Sequence, residues 1–408
     1  MSQYDMNMFN EDVEDINNTI NKPFFNVEVT PTRKCNMGCT YCFESIDVAK
    51  HQTNFTNPDD FVDSIIQKIT ALKNSDKFKE LWGGINIGFW GGEPSLNPSF
   101  FDKVVKTFGM DSDVVFHIYT NGLNHKPIKS TIDWLCDNKL QPKFDIQISY
   151  DGSPINDLNR VTVGGKPTGH KPITSAMELA SLGFKNVKLK ATLEPKDFKY
   201  LNQVWDDYEL LNKSFREEFG EDQYPIMYAP TIEHHNHGGE SYNDVWQSEM
   251  LKIAKKEIQF YKETGMYLMG WIGASKTVCS AGKTMGTFDI DGKYYVCHGA
   301  MYSDDQEELQ IASVNDTDED FINKLIDKSN DIGSCSTDDI MPPECVDCSA
   351  TYCAQCNVVE YSSGKAKASS DEWLDRWNTR GSDSNMCQYF KYFGKLDIAI
   401  KHKIRNGE

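Results

Sequence analysis

Two hydrophobic periods alternate between Phe24 and about Pro230. Short apolar runs bounded by glycine, proline and polar clusters predict strands at Phe24–Thr30, Ile85–Trp90, Val114–Thr120, Phe144–Ser149, Val187–Thr192 and Tyr224–Tyr228. Between them lie helix-spaced apolar sets: Phe61, Ile65, Ile66, Ile69 and Leu72; Phe101, Val104 and Val105; Ile132 and Leu135; Trp205 and Leu210. Strand and helix in alternation predict a parallel sheet with helices outside it, either a partial barrel or an open doubly wound sheet. Both architectures bind ligands at the carboxyl ends of their strands. The unusual residues fall there: Cys35, Cys39 and Cys42 after the first strand, Gly91-Gly92-Glu93-Pro94 after the second, Asn121-Gly122 after the third, and Ser149-Tyr150-Asp151-Gly152 at the end of the fourth.

A helix expected over about Tyr242–Thr264 then leads into a region of different character, from Cys279 to Cys387. Asp291-Gly292 sits between the alternating runs Thr287–Ile290 and Lys293–Val296, a strong hairpin signal that would bring Cys279 and Cys297 to the base of one ribbon. No internal repeat or extended low-complexity tract interrupts the pattern.

Composition sharpens the picture in four places. The length of 408 residues suits a catalytic barrel plus an appended module. A net charge of −19 would repel a phosphate backbone, so general nucleic-acid binding is not expected. The acidic N-terminus has no apolar signal region, and no window is long and apolar enough for a membrane span, so a soluble, cytoplasmic protein without membrane association is expected. Twelve cysteines, clustered in a chain of that kind, point to metal rather than to disulfides.

Three thiolates within eight residues can hold three irons of a [4Fe–4S] cube, one ligand short of the usual four. The iron without a protein ligand is open to the amino and carboxylate groups of a small molecule. Read from these residues alone, the alternatives are a zinc knuckle completed by a distant fourth ligand and three cysteines without a metal. The CxxxCxxC spacing, Tyr41 just before the third cysteine and the post-strand position resemble the radical S-adenosylmethionine superfamily. The resemblance covers about Phe24 to Pro230 and implies a partial (β/α)6 TIM-like barrel. It also implies reductive cleavage of S-adenosylmethionine to a 5′-deoxyadenosyl radical that abstracts hydrogen from a substrate carbon. Gly91, Gly92, Glu93 and Pro94 match the family's GGEP motif, whose backbone carbonyls or glutamate would accept from the cofactor's ammonium group. By the same resemblance Asn121, Ser149 and Asp151 stand at cofactor-binding strand ends, Ser149 donating to the cofactor's carboxylate or ribose, and Arg160 is a candidate partner of that carboxylate.

The later cysteines run Cys279, Cys297, Cys345, Cys348, Cys353, Cys356 and Cys387. Taken alone they suit structural zinc or iron–sulfur about equally. Their order, with the hairpin, resembles the SPASM extension of radical S-adenosylmethionine proteins, a small cysteine-rich α+β domain. That implies two auxiliary [4Fe–4S] clusters, three in all: one on Cys279, Cys297 and Cys356, the other on Cys345, Cys348, Cys353 and Cys387. Cys335 could complete the first auxiliary site, which otherwise keeps an open iron, and Cys136 reads as an inert core thiol. The expected division is an N-terminal extension over 1–23, a barrel over 24–235, a linker helix over 236–275, the auxiliary-cluster domain over 276–390 and a tail over 391–408.

His298 follows Cys297 where sulfatase-maturing relatives carry an acidic base. It reads either as a catalytic proton acceptor or as a surface residue at the hairpin end. His234, His235 and His237 read as a polar loop that could meet substrate, and Gly164-Gly165-Lys166 as a flexible active-site loop. The family resemblance implies a peptide or protein substrate to be oxidised, crosslinked or epimerised, and a reductant such as flavodoxin or ferredoxin. The short N-terminal extension leaves no room for a leader-peptide-binding domain, which keeps a small-molecule substrate open. Outside enzymes, the alternative is an electron-transfer or zinc-binding interaction protein.

Overall fold

A computed structural model of the chain describes residues 22–42, 59–220, 231–232, 244–269, 277–278, 280–302, 306–334, 354–355 and 385–407. Its centre is one curved sheet. Strands β1 (Phe24–Val29), β2 (Gly84–Phe89), β3 (Val114–Thr120), β4 (Phe144–Ser149) and β5 (Asn186–Lys190) lie in chain order and pair in parallel. The chain continues past β5 into β6 (Thr192–Leu193), which pairs in parallel with β7 (Thr231–Ile232). The sixth strand expected at Tyr224–Tyr228 lies outside the described residues.

Each strand turns one face outward to a helix. Phe25, Val27, Ile85, Ile87, Phe116, Ile146, Ile148, Val187 and Leu189 are buried in a single core with apolar positions of the surrounding helices. Full burial of such a side chain contributes about 1.5–3 kcal/mol. Helix α1 (Asp59–Asn74) supplies Val62, Ile65, Ile69 and Leu72 at the 3–4 spacing that makes one helical face. The short α2 (Asp76–Leu81) is capped by Ser75, and α3 (Pro98–Phe108) starts with proline in its first turn while the Asn97 side chain accepts from Phe100 N. Helices α4 (Lys129–Asp137), α5 (Lys171–Ser181) and α6 (Leu201–Phe219) complete the convex layer. The opposite, concave face carries Asn26, Glu28, Asn86, His117, Tyr119, Asp145, Gln147, Ser149, Lys188 and Lys190. Inward polar and outward apolar positions thus alternate along the strands.

Helix α7 (Asp244–Thr264) falls where a helix is expected over about Tyr242–Thr264 and packs against α6. Strand β8 (Thr277–Val278) leads into the hairpin of β9 (Met285–Phe288) and β10 (Lys293–Tyr295), with Gly292 at its turn at φ +85°. The hairpin is not a separate ribbon: β9 pairs in parallel with β1, and β11 (Gln310–Ser313) adds antiparallel to β10, so one eight-stranded sheet runs from β11 to β5. Helix α8 (Asp318–Ser334) packs against β11 and α1. Strand β12 (Ala354–Gln355) pairs in parallel with β8, Gln355 opposite Val278. The C-terminal stretch expected to be a tail lies largely in helix α9 (Asn385–Arg405), whose Phe393, Leu396 and Ile400 join the main core and whose axis packs on α7. No described helix is long and apolar enough to cross a membrane.

Candidate functional site

The loop that leaves β1 is held on both sides by backbone. On one side Gly92 N donates to Thr32 O at 3.1 Å and Glu93 N to Lys34 O at 2.9 Å. A Cβ at Gly92 would overlap the carbonyls of Arg33 and Lys34, and one at Gly91, already at φ +113°, would overlap that of Thr32. The two glycines therefore allow the loop after β2 to lie flat on the cysteine loop. On the other side Val163 N donates to Asn36 O at 3.2 Å, Gly38 N to Val161 O at 2.8 Å and Thr40 N to Asn159 O at 3.0 Å. Residues 161–167 are a small hairpin, with Thr162 N donating to Lys166 O at 2.9 Å; the segment read from sequence as a flexible loop is thus a clamp on the cysteines.

Between these two supports Cys35, Cys39 and Cys42 stand as half-buried thiols, none in a disulfide. Burial and the nearby Glu93 carboxylate push the Cys35 thiol up to about 12, and burial raises Cys39 against the opposing pull of Arg160. A cation bound to the sulfurs of Cys35 and Cys39 would favour their thiolates against that burial.

Glu93 is fully buried and its carboxylate accepts from Ser95 N, Ser95 Oγ, Thr120 Oγ1 and Asn121 N, at 2.7 to 3.2 Å. Its visible role is to bolt the loop after β2 to the end of β3, with Pro94 opening a short 3-10 turn. Asn121 then reaches the cysteine loop, its Nδ2 donating to Asn36 Oδ1 at 2.7 Å and lying 3.9 Å from Cys35 Sγ. Tyr41 donates to Asp151 Oδ2 at 2.7 Å and accepts from Arg160 Nη1 at 2.6 Å, all three side chains being buried. Asp151 also accepts from Thr192 N at 3.0 Å, and burial pushes its carboxyl up to about 6 although Arg160 opposes this. Arg160 keeps a buried Nε without a hydrogen-bond partner, so its guanidinium has donor capacity to spare. Ser149 ends β4 on the concave face, opposite Lys190 in the register, and makes no side-chain hydrogen bond among the described residues.

His298 is half-buried at the hairpin end. Its ring stacks on Trp90 at 3.9 Å between centroids, and its Nδ1 lies 2.8 Å from Oε2 of buried Glu28. Thr287 Oγ1 donates to the same carboxylate at 2.8 Å. Burial raises the Glu28 carboxyl, but the charge and hydrogen bond of His298 outweigh it and hold the group below its ordinary value. A carboxylate on Nδ1 makes Nε2 the basic nitrogen of the ring. Glu28 and Trp90 did not emerge from the sequence reading. The available signal was a charged residue at the fifth position of a parallel strand, alternating with Val27 and Val29. A second ion pair ties hairpin to cysteine loop: Arg33 makes a two-pronged contact with Asp289, its Nε 3.0 Å from Oδ1.

Among the later cysteines, Cys297 is buried two residues after β10, in a cluster with Ala281, Val296, Ala300 and Met301. Cys387 lies on α9. Cys279, Cys335, Cys345, Cys348, Cys353 and Cys356, and His234, His235 and His237, lie outside the described residues. Cys136 packs against the convex core as expected. An apolar cavity lined by Ile118, Ile132, Ile146 and Leu179 lies on the convex side of the sheet, away from the thiols, although Glu93 and Thr120 reach its edge.

Residues 29–195, which carry the three-thiol loop between its glycine-rich support and the clamp after β4, match the family described as the Radical SAM superfamily. An uncharacterized protein of Methanocaldococcus jannaschii is 29% identical over 143 residues, 34% of this chain; the chain spans about 42% of the length of that curated relative. Among solved structures, native anSMEcpe with bound AdoMet and Cp18Cys peptide superposes at a TM-score of 0.62 and 16% identity, over 95% of this chain and 100% of that one. Streptococcus suis SuiB bound to S-adenosylmethionine superposes at 0.53 and 15% identity, over 80% of this chain and 71% of that one. At these identities the likeness is one of fold.

Proposed function

We propose that the chain is a radical S-adenosylmethionine enzyme that modifies a peptide or protein, with a [4Fe–4S] cluster on Cys35, Cys39 and Cys42 and two auxiliary clusters in its C-terminal region. The observation that carries this is the three-thiol loop itself, fixed by backbone on both sides with no fourth sulfur among the described residues beside it. The donor set fits the group, since three sulfurs leave one iron open and a bound cation favours the thiolates of Cys35 and Cys39. When bound, the cluster supplies the electron that breaks a sulfonium carbon bond of S-adenosylmethionine and yields the radical that takes hydrogen from substrate.

The chain's own residues do the rest. Carbonyls of Gly91 and Gly92 accept from the cofactor's ammonium group while Glu93 and Pro94 fix their direction. Arg160, steadied by Tyr41 and Asp151, meets the carboxylate, and Asn121 and Ser149 hold the remaining polar edge. His298, oriented by Glu28, would take at Nε2 the proton that leaves as the substrate radical gives one electron to an auxiliary cluster. The pairing of Val278 with Gln355 supports a shared auxiliary cluster, because the residues preceding Cys279 and Cys356 are neighbours across one ladder. Buried Cys297 follows the hairpin, as that ligand set requires. The peptide reading rests on anSMEcpe, which shares this fold over 95% of the chain and was solved with a peptide.

The test is electron paramagnetic resonance of anaerobically loaded, reduced protein. Adding S-adenosylmethionine should shift the signal of one cluster and leave the auxiliary signals in place. An unchanged spectrum contradicts the open-iron assignment.

A further inference from the structure

The concave wall of the barrel is strongly polar, and among the described residues its charges are accounted for with one exception. Asp145 Oδ2 is 2.9 Å from Lys188 Nζ and 3.4 Å from His117 Nδ1, and Glu28 is met by His298 and Thr287. Lys190 is the exception. It occupies the carboxyl end of β5 on the same face as Lys188, alternating with the core residues Val187 and Leu189. Its side chain is half-buried, and no hydrogen bond or ion pair to it occurs among the described residues. Burial is what lowers its ammonium from the ordinary value. A buried charge is costly unless paired, so a lysine kept in this place lacks its counter-ion until something binds.

We infer that Lys190 anchors a carboxylate of the substrate, so that the enzyme selects an acidic substrate group. This rests on the radical S-adenosylmethionine reading of the same site. Register places Lys190 opposite Ser149, and β5 stands two strands from β3, whose following residue Asn121 touches the cysteine loop. At about 4.8 Å per strand Lys190 is roughly 10 Å along the barrel mouth from that loop. Arg160 is the cation at the cysteine loop, hydrogen-bonded to the tyrosine between Cys39 and Cys42. The cofactor's own carboxylate, which chelates the cluster, belongs there and not at β5. A single ammonium on a wall that also carries Glu28 and Asp145 favours a monoanionic carboxylate over a phosphate dianion. The carboxylate comes either from an acidic peptide residue or from a free organic acid.

The experiment compares iron-loaded, full-length protein with Lys190→Met and Lys190→Arg. Melting temperature is followed against acetate, acetyl-Gly-Asp-Gly-amide, acetyl-Gly-Asn-Gly-amide and inorganic phosphate at constant ionic strength, and S-adenosylmethionine affinity is measured separately. Removing an uncompensated charge should raise the melting temperature of Lys190→Met above wild type. Wild type and Lys190→Arg should be stabilised by acetate or by the aspartyl peptide, and Lys190→Met by neither. A response to the aspartyl peptide and not to its asparaginyl twin assigns a peptide side chain; a response to acetate alone assigns a free acid. The inference is overturned if Lys190→Met melts lower, if wild type responds to no carboxylate or only to phosphate, or if Lys190→Met loses about tenfold in S-adenosylmethionine affinity, which would make Lys190 a cofactor ligand. Failure of wild type to bind S-adenosylmethionine at all is a different result and overturns the enzyme reading instead.

Discussion

Glycine at position 92 is required by its neighbours rather than by its own torsion angles, because the carbonyls of Arg33 and Lys34 occupy the space a methyl group would need. Gly92→Ala should therefore push the cysteine loop aside. Iron content after anaerobic loading should fall to a small fraction of wild type while far-ultraviolet circular dichroism stays native; full loading would show that the loop tolerates displacement. Residue by residue, much of this site was legible in the sequence. Cys35, Cys39, Cys42, the glycine pair, Asn121 and Arg160 do converge on one loop. Glu93 was legible as a motif, but its saturation by Ser95, Thr120 and Asn121 depends on partners brought from β3. Glu28 and Lys190 escaped because a charged position on a strand reads as solvent-facing until the opposite face is known to be covered.

At the scale of elements, the first five strands, the hairpin turn at Gly292 and the helix before it follow from periodicity and turn chemistry. What periodicity could not supply was pairing: nothing local in Thr287–Phe288 says that this strand adds to β1. The Arg33–Asp289 contact is part of that long-range fit, and Asp289 is 2% exposed. Arg33→Ala leaves a buried carboxylate without its cation and should cost about 3–5 kcal/mol in denaturant unfolding. A loss below about 1 kcal/mol would mean that the hairpin docks without this pair.

Helices α6 and α7 meet at Glu257, which is 0% exposed and accepts from Trp205 Nε1, Leu268 N and Met269 N. Burial pushes its carboxyl up from 4.5 to about 7, against those donors. The folded state therefore binds the proton more tightly than the unfolded chain. This contribution to stability is complete below about 4.5 and is lost as pH rises through about 7. Relative to Glu257→Gln, wild type should lose up to roughly 3 kcal/mol across that window in unfolding measured against pH. A constant difference between the two proteins would contradict the shift.

Over the whole molecule, one sheet joins the barrel to the hairpin, and helix α9 returns to pack on α7. The hairpin of β9 and β10 is therefore hydrogen-bonded into the same sheet as β1 to β5. The sequence separated the two parts by cysteine content, which reports chemistry and not packing. If the C-terminal cysteines hold two auxiliary clusters, loaded protein should contain about twelve irons per chain, and about four would remove them. Cys348→Ala should then keep part of its cofactor cleavage, and complete loss in a folded variant would argue against separate roles for the clusters. The most direct test is an assay for 5′-deoxyadenosine from S-adenosylmethionine, using anaerobically loaded full-length protein and a strong reductant. Wild type should form it and Cys39→Ala should not. No product from fully loaded wild type, or equal product from Cys39→Ala, would contradict the account.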